Sequence, residues 1–328
     1  MNNTDSVFVL VELTSKKELV AGSLEALSLG VNLKGWLHGE LCVVLLGSGV
    51  SEIAEELKYY GADKIYVVDN PLLEVYQPDY YVAAFAQLCA KINPKAIVMG
   101  DTLTSVDFAP RVAFTLGTGL ITDCVAFRVD GDRPLFTKPV YSGNVMAEYT
   151  LDTEPYMVTI RSRSAELCSR RDTPNGEIMP IDVDISATEV KTPIVERVID
   201  KSDGPRLVEA DVVVAGGRGI GGAQGFELLS DLAHVLGGTL GASRPPCDLG
   251  WVSPKTQIGQ TGEIVGPSLY IAVGISGSTQ HIAGMSGSKK IVAINKDSRA
   301  NIFKIADYGV EGNYEEILPA FKDEITSY

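Results

Sequence analysis

The sequence predicts an α/β protein of two domains, each built on a parallel sheet. Three observations carry that expectation. Short runs that are apolar at every position alternate with segments of helical spacing, as strands covered on both faces do. After Asp211 the apolar runs end in glycine-rich turns, the kind of strand end at which open α/β sheets hold ligands. The length, 328 residues, suits two units of ordinary size.

Residues 7–13 (VFVLVEL) read as the first buried strand, and Leu19, Leu24, Leu27 and Val31 give 18–33 helical spacing. Residues 41–46 (LCVVLL) form the next strand, closed by Gly47. A helix over 51–60 opens on Ser51 as its N-cap, puts Ile53, Leu57 and Tyr60 on one face, and stops at Gly61. The third strand is 64–69 (KIYVVD). Val82, Phe85, Leu88, Cys89 and Ile92 make 80–92 a helix, 96–100 (AIVMG) is the fourth strand, and 106–116 is a helix. Beyond Gly119 the pattern changes to consecutive short runs, 121–129, 134–140, 145–150 and 157–161, which predict an antiparallel extension of the first domain. Residues 170–205 are rich in Pro, Asp, Glu, Lys and Ser and read as a linker, with 181–185 (IDVDI) as an edge strand. The domains are accordingly expected at 1–205 and 206–328.

Composition narrows the function. Lys and Arg total 28 against 42 Asp and Glu, a net charge of −14, and the pI is about 4.7. So acidic a surface argues against nucleic acid or an anionic membrane as the main partner. The longest uncharged stretch, 264–288, is interrupted by Gly266, Pro267, Gly274, Gly277, Gln280, His281, Gly284 and Gly287 and predicts no spanning helix. The N-terminal MNNTDSVFVLVELTSKK lacks the order of a signal peptide. The five cysteines are scattered, with no C-x-x-C pair, which fits a reducing cytoplasm rather than a disulfide framework or a zinc or iron–sulfur site. His38, His234 and His281 are too few and too dispersed for a histidine-rich metal site. G-x-S-x-G and the Walker A loop are absent.

The second domain opens on DVVVAGGRGIGG. Gly217-Arg218-Gly219-Ile220-Gly221-Gly222 satisfies G-x-G-x-x-G between a strand and a helix carrying Phe226, Leu229 and Leu236 and ended by Gly237. Glycines let backbone approach a pyrophosphate, and helix N-terminal amides favour the anion. A standard NAD fingerprint would put an acid at the end of the next strand. Here 239–242 ends in Ser243-Arg244, and an arginine suits an NADP 2′-phosphate or another anionic or electron-rich group. Further small, hydrogen-bonding turns follow: Gln257 to Gly262, Gly274 to His281, Asn295-Lys296-Asp297 after the strand 290–295, and Asp307-Tyr308-Gly309 after a strand predicted at 303–307. Several such strand ends within about 100 residues favour a large ligand with many polar handles, such as a dinucleotide.

The runs GASRPPCDLGW, QIGQTGEIVGPSLYIAVGISGSTQHIAGM and KKIVAINKDSRANIFKIADYG resemble the C-terminal domain of electron-transfer flavoprotein alpha subunits, densely from 211 to about 310. The first domain agrees more loosely, through Asp107-Phe108-Ala109-Pro110-Arg111 and Leu116-Gly117-Thr118-Gly119-Leu120. The resemblance implies a Rossmann-like domain holding non-covalent FAD, on Arg218, Ser243, Arg244, Gln257, Ile258, Gly259, Gln260, Thr261, Gly262, Ser276, Gly277, Ser278, Thr279, Gln280, His281, Asn295, Asp307 and Tyr308. It places Arg244 over the isoalloxazine, Thr261 at N5, His281 at the O2 side, where it and Arg244 would stabilise the negative charge of the reduced ring, and Asn295 and Asp307 at the adenosine end. Without the motif, His281 reads as a satisfied core histidine. No acid–base catalyst, nucleophile or metal is called for, since the cofactor carries the chemistry. It further implies a beta subunit and a flavoprotein dehydrogenase partner such as an acyl-CoA dehydrogenase. Some relatives also carry a second FAD in the beta subunit and bifurcate electrons from NADH to ferredoxin and an acyl-CoA. Tyr314, Ile317 and Leu318 have the spacing of a helix face that either meets that subunit or packs on the chain's own core. The residues alone leave two other readings: an NADP-binding dehydrogenase subunit using Arg244 on the 2′-phosphate, and a structural nucleotide-binding subunit.

Overall fold

The computed structural model describes residues 5–326 apart from 15, 142, 144, 187, 189, 197–206 and 209. The chain divides into two compact units, 1–198 and 199–328. The boundary expected at 205 lies outside the described residues.

The first unit runs β1 (Ser6–Val11), α1 (Ala21–Leu37), β2 (Glu40–Gly47), α2 (Ser51–Leu57), β3 (Lys64–Asp69), α3 (Pro78–Ile92), β4 (Ala96–Gly100), α4 (Leu103–Leu116), β5 (Leu120–Cys124), β6 (Ala126–Asp130), β7 (Arg133–Val140), β8 (Val145–Tyr149), β9 (Tyr156–Ile160) and β10 (Glu177–Pro180). Seven of these strands form one sheet in the order β10-β3-β2-β1-β4-β9-β5, parallel throughout. Alternate residues feed opposite cores because side chains alternate across a strand. Val7, Val9 and Val11 pack with Leu27 and Leu33 of α1, while Phe8 and Leu10 pack with Phe85 of α3 and Phe108 of α4. Phe85 and Phe108 meet edge to face, 5.5 Å between centroids. Gly22 at the start of α1 lies over Gly100, where a side chain at 100 would run into the Gly22 backbone.

The expected antiparallel extension is smaller than its four runs suggest. Among the strands of the described residues, only β6, β7 and β8 pair antiparallel. The run read as 121–129 is two strands in different sheets, divided at Val125, just after the irregularity in β5 where Asp123 takes a positive φ of 63°. Its first half, β5, and the run near 157–161, β9, join the main parallel sheet. In β9 Met157, Val158, Thr159 and Ile160 are all buried, the two-faced burial of a parallel strand. The edge strand expected at 181–185 forms earlier, as β10 beside β3, and Val183 and Ile185 are buried just beyond it. Ser51 is the first helical residue of α2 rather than its cap, and Val50 stands at the N-cap without a side-chain bond. The helix expected from 106 starts at Leu103, behind a reciprocal capping box of Thr102 and Ser105.

One buried acid makes this unit pH-sensitive. Glu25 on α1 is 3 % exposed. One carboxylate oxygen accepts the Arg163 backbone N–H at 2.7 Å, and the other has no hydrogen-bond partner. Burial, the largest influence, pushes its pKa from 4.5 to about 7. A raised acid favours the fold below its unfolded pKa, and that contribution is lost as pH rises through the folded value. At about 1.4 kcal/mol per pH unit the loss is of order 3 kcal/mol. Glu25→Gln is expected to stabilise this unit relative to the parent by roughly 2–3 kcal/mol more at pH 8 than at pH 4.5. Urea midpoints of both proteins at the two pH values measure it. An unchanged difference would show that Glu25 does not titrate in this range.

The second unit runs β11 (Val212–Gly216), α5 (Ala223–Val235), β12 (Thr239–Ala242), α6 (Arg244–Asp248), β13 (Leu269–Val273), α7 (Thr279–Ala283), β14 (Lys290–Asn295), β15 (Tyr308–Glu311) and α8 (Tyr314–Thr326). Its sheet, β12-β11-β13-β14-β15, is parallel throughout. One face carries Val214, Ile271 and Val273 against Phe226 and Leu229 of α5 and Leu318 of α8. The other carries Val213, Tyr270 and Ala272, covered by Ile258, Val265, Met285 and Ile302, which come mainly from loops and short turns. Loops thus rest directly on one face of the sheet, and they are the ones that carry the glycine-rich motifs.

Candidate functional site: the carboxyl edge of the second sheet

All five strands are parallel, so their C-terminal ends lie along one edge. Four of them end in predicted turns: β11 at Gly217-Arg218, β12 at Ser243-Arg244, β13 at Gly274, and β14 at Asn295. Glycines let these turns pack backbone on backbone. A Cβ at Gly217 would sit 2.2 Å from the Gly274 carbonyl oxygen, and Gly219 N–H donates to that oxygen at 3.0 Å. The first two glycines of the G-x-G-x-x-G run therefore join two strand ends. Gly222, the third, has no neighbour that a Cβ would meet.

The 257–263 loop is fastened to the same edge. Ile258 N–H donates to the Ala242 carbonyl at the end of β12, and Gln260 N–H donates to the Gln280 carbonyl at 2.9 Å. Gly259 and Gly284 touch so closely that a Cβ at 284 would lie 2.4 Å from Gly259 N. Gln257 Nε2 donates to Thr261 Oγ1 at 3.1 Å, and Gly262 N–H closes the loop onto the Gly259 carbonyl. On the far side, Gly277 has a φ of 79° and packs on Ile302, whose N–H donates to the Ser276 carbonyl. Asn295 Nδ2 donates to the Ile275 carbonyl at 2.9 Å, tying β14 to the β13 turn.

Arg218, Ser243, Arg244, Gln257 to Gly262, Ser276 to His281 and Asn295 are thus brought to one edge. Arg244 opens α6 with a side chain 64 % exposed, its Nε 3.1 Å from Asp248 Oδ2. Ser243 is 8 % exposed, and its N–H donates to the Gly216 carbonyl. Thr279 Oγ1 donates to Gln280 Oε1.

Three expectations need correction. Residues 303–307 are not a strand: Asn301–Lys304 forms a 3₁₀ turn, and the fifth strand is β15. Asp307 and Tyr308 therefore stand at the beginning of a strand, on the opposite edge, where Asp307 binds Lys290 Nζ (2.9 Å) and the Ile291 N–H (2.8 Å). The residues that β15 does deliver to the site edge are Gly312, whose N–H donates to the Asn295 carbonyl, and Asn313. Sequence reading passed over them because the misplaced strand moved the edge. Second, the His281 imidazole is buried, 4 % exposed, with both nitrogens engaged by protein atoms, Nδ1 by the Ile258 carbonyl (3.1 Å) and Nε2 by the Tyr270 hydroxyl (2.9 Å). Burial lowers its pKa to about 4, so it is a neutral buttress rather than a cation at neutral pH. Third, of the two readings of Tyr314, Ile317 and Leu318, the partner face gives way to packing on their own unit: Leu318 is 2 % exposed and the Tyr314 hydroxyl donates to the Ile220 carbonyl.

Residues 7–186 match the electron transfer flavoprotein domain family, and residues 206–286 match the electron transfer flavoprotein FAD-binding domain family. The chain belongs to the electron transfer flavoprotein family, as an alpha subunit. It is 40 % identical over 327 residues to the electron transfer flavoprotein subunit alpha of Thermoanaerobacterium thermosaccharolyticum, covering 99 % of each chain. It is 43 % identical over 319 residues to the same subunit of Bacillus subtilis, covering 97 % of this chain and 96 % of that one. Protein FixB of Clostridium saccharobutylicum is 40 % identical over 306 residues, 92 % of this chain and 91 % of its own.

FAD is the cofactor of this alpha subunit. The site chemistry fits it. Arg218 and Arg244 supply cations for phosphates or an electron-rich ring, hydroxyls and amides line the turns between, and glycines clear the backbone. The matched FAD-binding domain leaves the NADP reading of Arg244 unsupported. An alpha subunit implies a beta subunit. Among the described residues no helix is long and apolar enough to cross a membrane.

Proposed function

We propose that this alpha subunit, with its beta subunit, is a cytoplasmic electron carrier. It takes electrons from a flavoprotein dehydrogenase such as an acyl-CoA dehydrogenase and delivers them to a second redox protein. The observation that carries this reading is the convergence of donors on one sheet edge within an FAD-binding family domain. Bound FAD supplies reversible electron storage at its isoalloxazine ring.

The chain's own residues do the rest. Arg244, projecting from the end of β12, offers positive charge where electron density accumulates. Thr261 and Gln260, on a loop locked to Gln280, offer hydrogen bonds to the ring. Arg218, Ser276 and Gln280 hold the ribityl and pyrophosphate, and Asn295 and Asn313 meet the adenosine end. No side chain acts as acid, base or nucleophile. The protein sets position and potential. The exposed apolar residues of β8, Val145 and Met146, give the first unit a surface for the beta subunit.

The test uses the chain purified with its beta subunit. An absorption band near ~450 nm, the isoalloxazine's own, is expected, and it should bleach when an acyl-CoA dehydrogenase and its substrate are added. A colourless complex, or a band that no flavoprotein dehydrogenase bleaches, would overturn the reading. The same chain can serve flavin-based bifurcation if the beta subunit holds a second FAD. NADH oxidation that requires ferredoxin and an acyl-CoA acceptor together identifies that mode.

A further inference from the structure

The residue that holds the two cofactor-bearing loops in register lies beneath them and cannot itself reach a ligand. Tyr270, in the middle of β13, is fully buried, its backbone registered with Val213 of β11 and Ile291 of β14. Its hydroxyl lies 2.9 Å from His281 Nε2, and His281 Nδ1 lies 3.1 Å from the Ile258 carbonyl. A carbonyl only accepts, so Nδ1 carries the ring proton and Nε2 accepts from the tyrosine. Ile258 N–H in turn donates to Ala242 at the end of β12. One line of polar contacts therefore runs from the sheet centre through α7 to the 257–263 loop. It spans the two segments that carry Gln260 and Thr261 on one side and Thr279 and Gln280 on the other. The adjoining direct bond between those segments is Gln260 N–H to the Gln280 carbonyl, and the Gly259–Gly284 backbone contact lies next to it.

We propose that Tyr270 is a positioning residue for the FAD site, acting through His281 by holding its Nε2 and so the spacing of the 257–263 loop from α7. The proposal rests on the FAD reading of this edge. A buried aromatic in this place needs no hydroxyl for packing, since phenylalanine has the same ring. A hydroxyl meeting an imidazole whose other nitrogen meets a loop carbonyl is an oriented relay.

The test combines Tyr270→Phe, His281→Asn and the double variant, each as the full chain with its beta subunit. Asparagine retains an N–H near the Nδ1 position and has no counterpart of Nε2. Tyr270→Phe is expected to weaken FAD binding about tenfold, the effect of one buried acceptor left unpaired. It should also speed exchange of the Gln260 amide. Nitrogen-15 spectra of histidine, assigned by the signal missing from His281→Asn among the chain's three histidines, should show a neutral Nδ1–H ring in the parent, and in Tyr270→Phe the Nε2 signal should move to that of an acceptor without a donor. In the His281→Asn background, Tyr270→Phe should have no further effect on FAD affinity. Parent-like affinity and an unmoved His281 Nε2 signal in Tyr270→Phe, or additive losses in the double variant, would overturn the proposal while leaving the flavin reading standing. A parent complex that takes up no FAD would overturn that reading and this proposal with it.

Discussion

Replacing Arg244 by alanine is expected to lower the flavin potential by roughly 60–150 mV. The side chain stands at the end of β12, 64 % exposed, with one neighbouring carboxylate, Asp248. A guanidinium beside a group that gains negative charge on reduction attracts it by a few kcal/mol at an effective dielectric of about 20. About 59 mV is tenfold in a one-electron equilibrium, so about 1.4–3.5 kcal/mol gives the range stated. Since His281 is neutral, no second cation from that ring shares the task, and the potential should lean heavily on Arg244. Asp248 offsets part of the charge, which draws the expected effect toward the lower end and gives a variant of opposite sign. Asp248→Asn should raise the potential. Arg244→Lys should lower it by less than alanine does, because charge survives while the planar fork is lost. Redox titration of the three variants beside the parent decides the matter. A parent potential in Arg244→Ala with flavin retained would remove Arg244 from the ring.

Much of this was legible in the sequence, for physical reasons that also mark where legibility ends. Strands such as 41–46 and 96–100 are buried on both faces, and burial on both faces leaves an unbroken apolar run. The strand ends of β11 to β14 were readable because glycines and small polar residues mark turns that approach one another closely. β9 was readable as a strand but not as a parallel one, since both its partners, β4 and β5, are distant in the chain. The last strand was misplaced because Phe303 and Ile305 look like a strand's apolar alternation, while the true strand, Tyr308–Glu311, is exposed throughout and contains Gly309. That shift of about four residues put Asp307 on the wrong edge and hid Asn313. The neutrality of His281 could not be read at all, because it depends on burial beneath segments distant in the chain, such as the loop at Ile258.

Gly284→Ala is expected to weaken FAD binding by about 10- to 100-fold, although position 284 has an ordinary backbone conformation, φ −84°. The obstacle is space. The new methyl would lie 2.4 Å from Gly259 N and 2.5 Å from Gly259 Cα. Ordinary carbon contacts need about 3.5–4.0 Å, and the opposing atoms are backbone, which has no rotamer to change. The 257–263 loop and α7 must therefore part by more than an ångström, stretching the Gln260–Gln280 and His281–Ile258 bonds. Overpacking of this kind costs about 1–3 kcal/mol, and the strain falls on the segments that face the cofactor. The contrasting variant is Gly222→Ala. Gly222 belongs to the G-x-G-x-x-G run, yet its φ is 173°, extended backbone open to any residue, and no atom lies within reach of a Cβ. Its alanine variant should bind FAD within about twofold of the parent, since an open extended site imposes neither strain nor clash. Flavin titration of the two variants separates the alternatives. If Gly222→Ala lost the cofactor and Gly284→Ala kept it, the motif glycine would be the one that approaches FAD, and the loop contact at 259 and 284 would be irrelevant to binding.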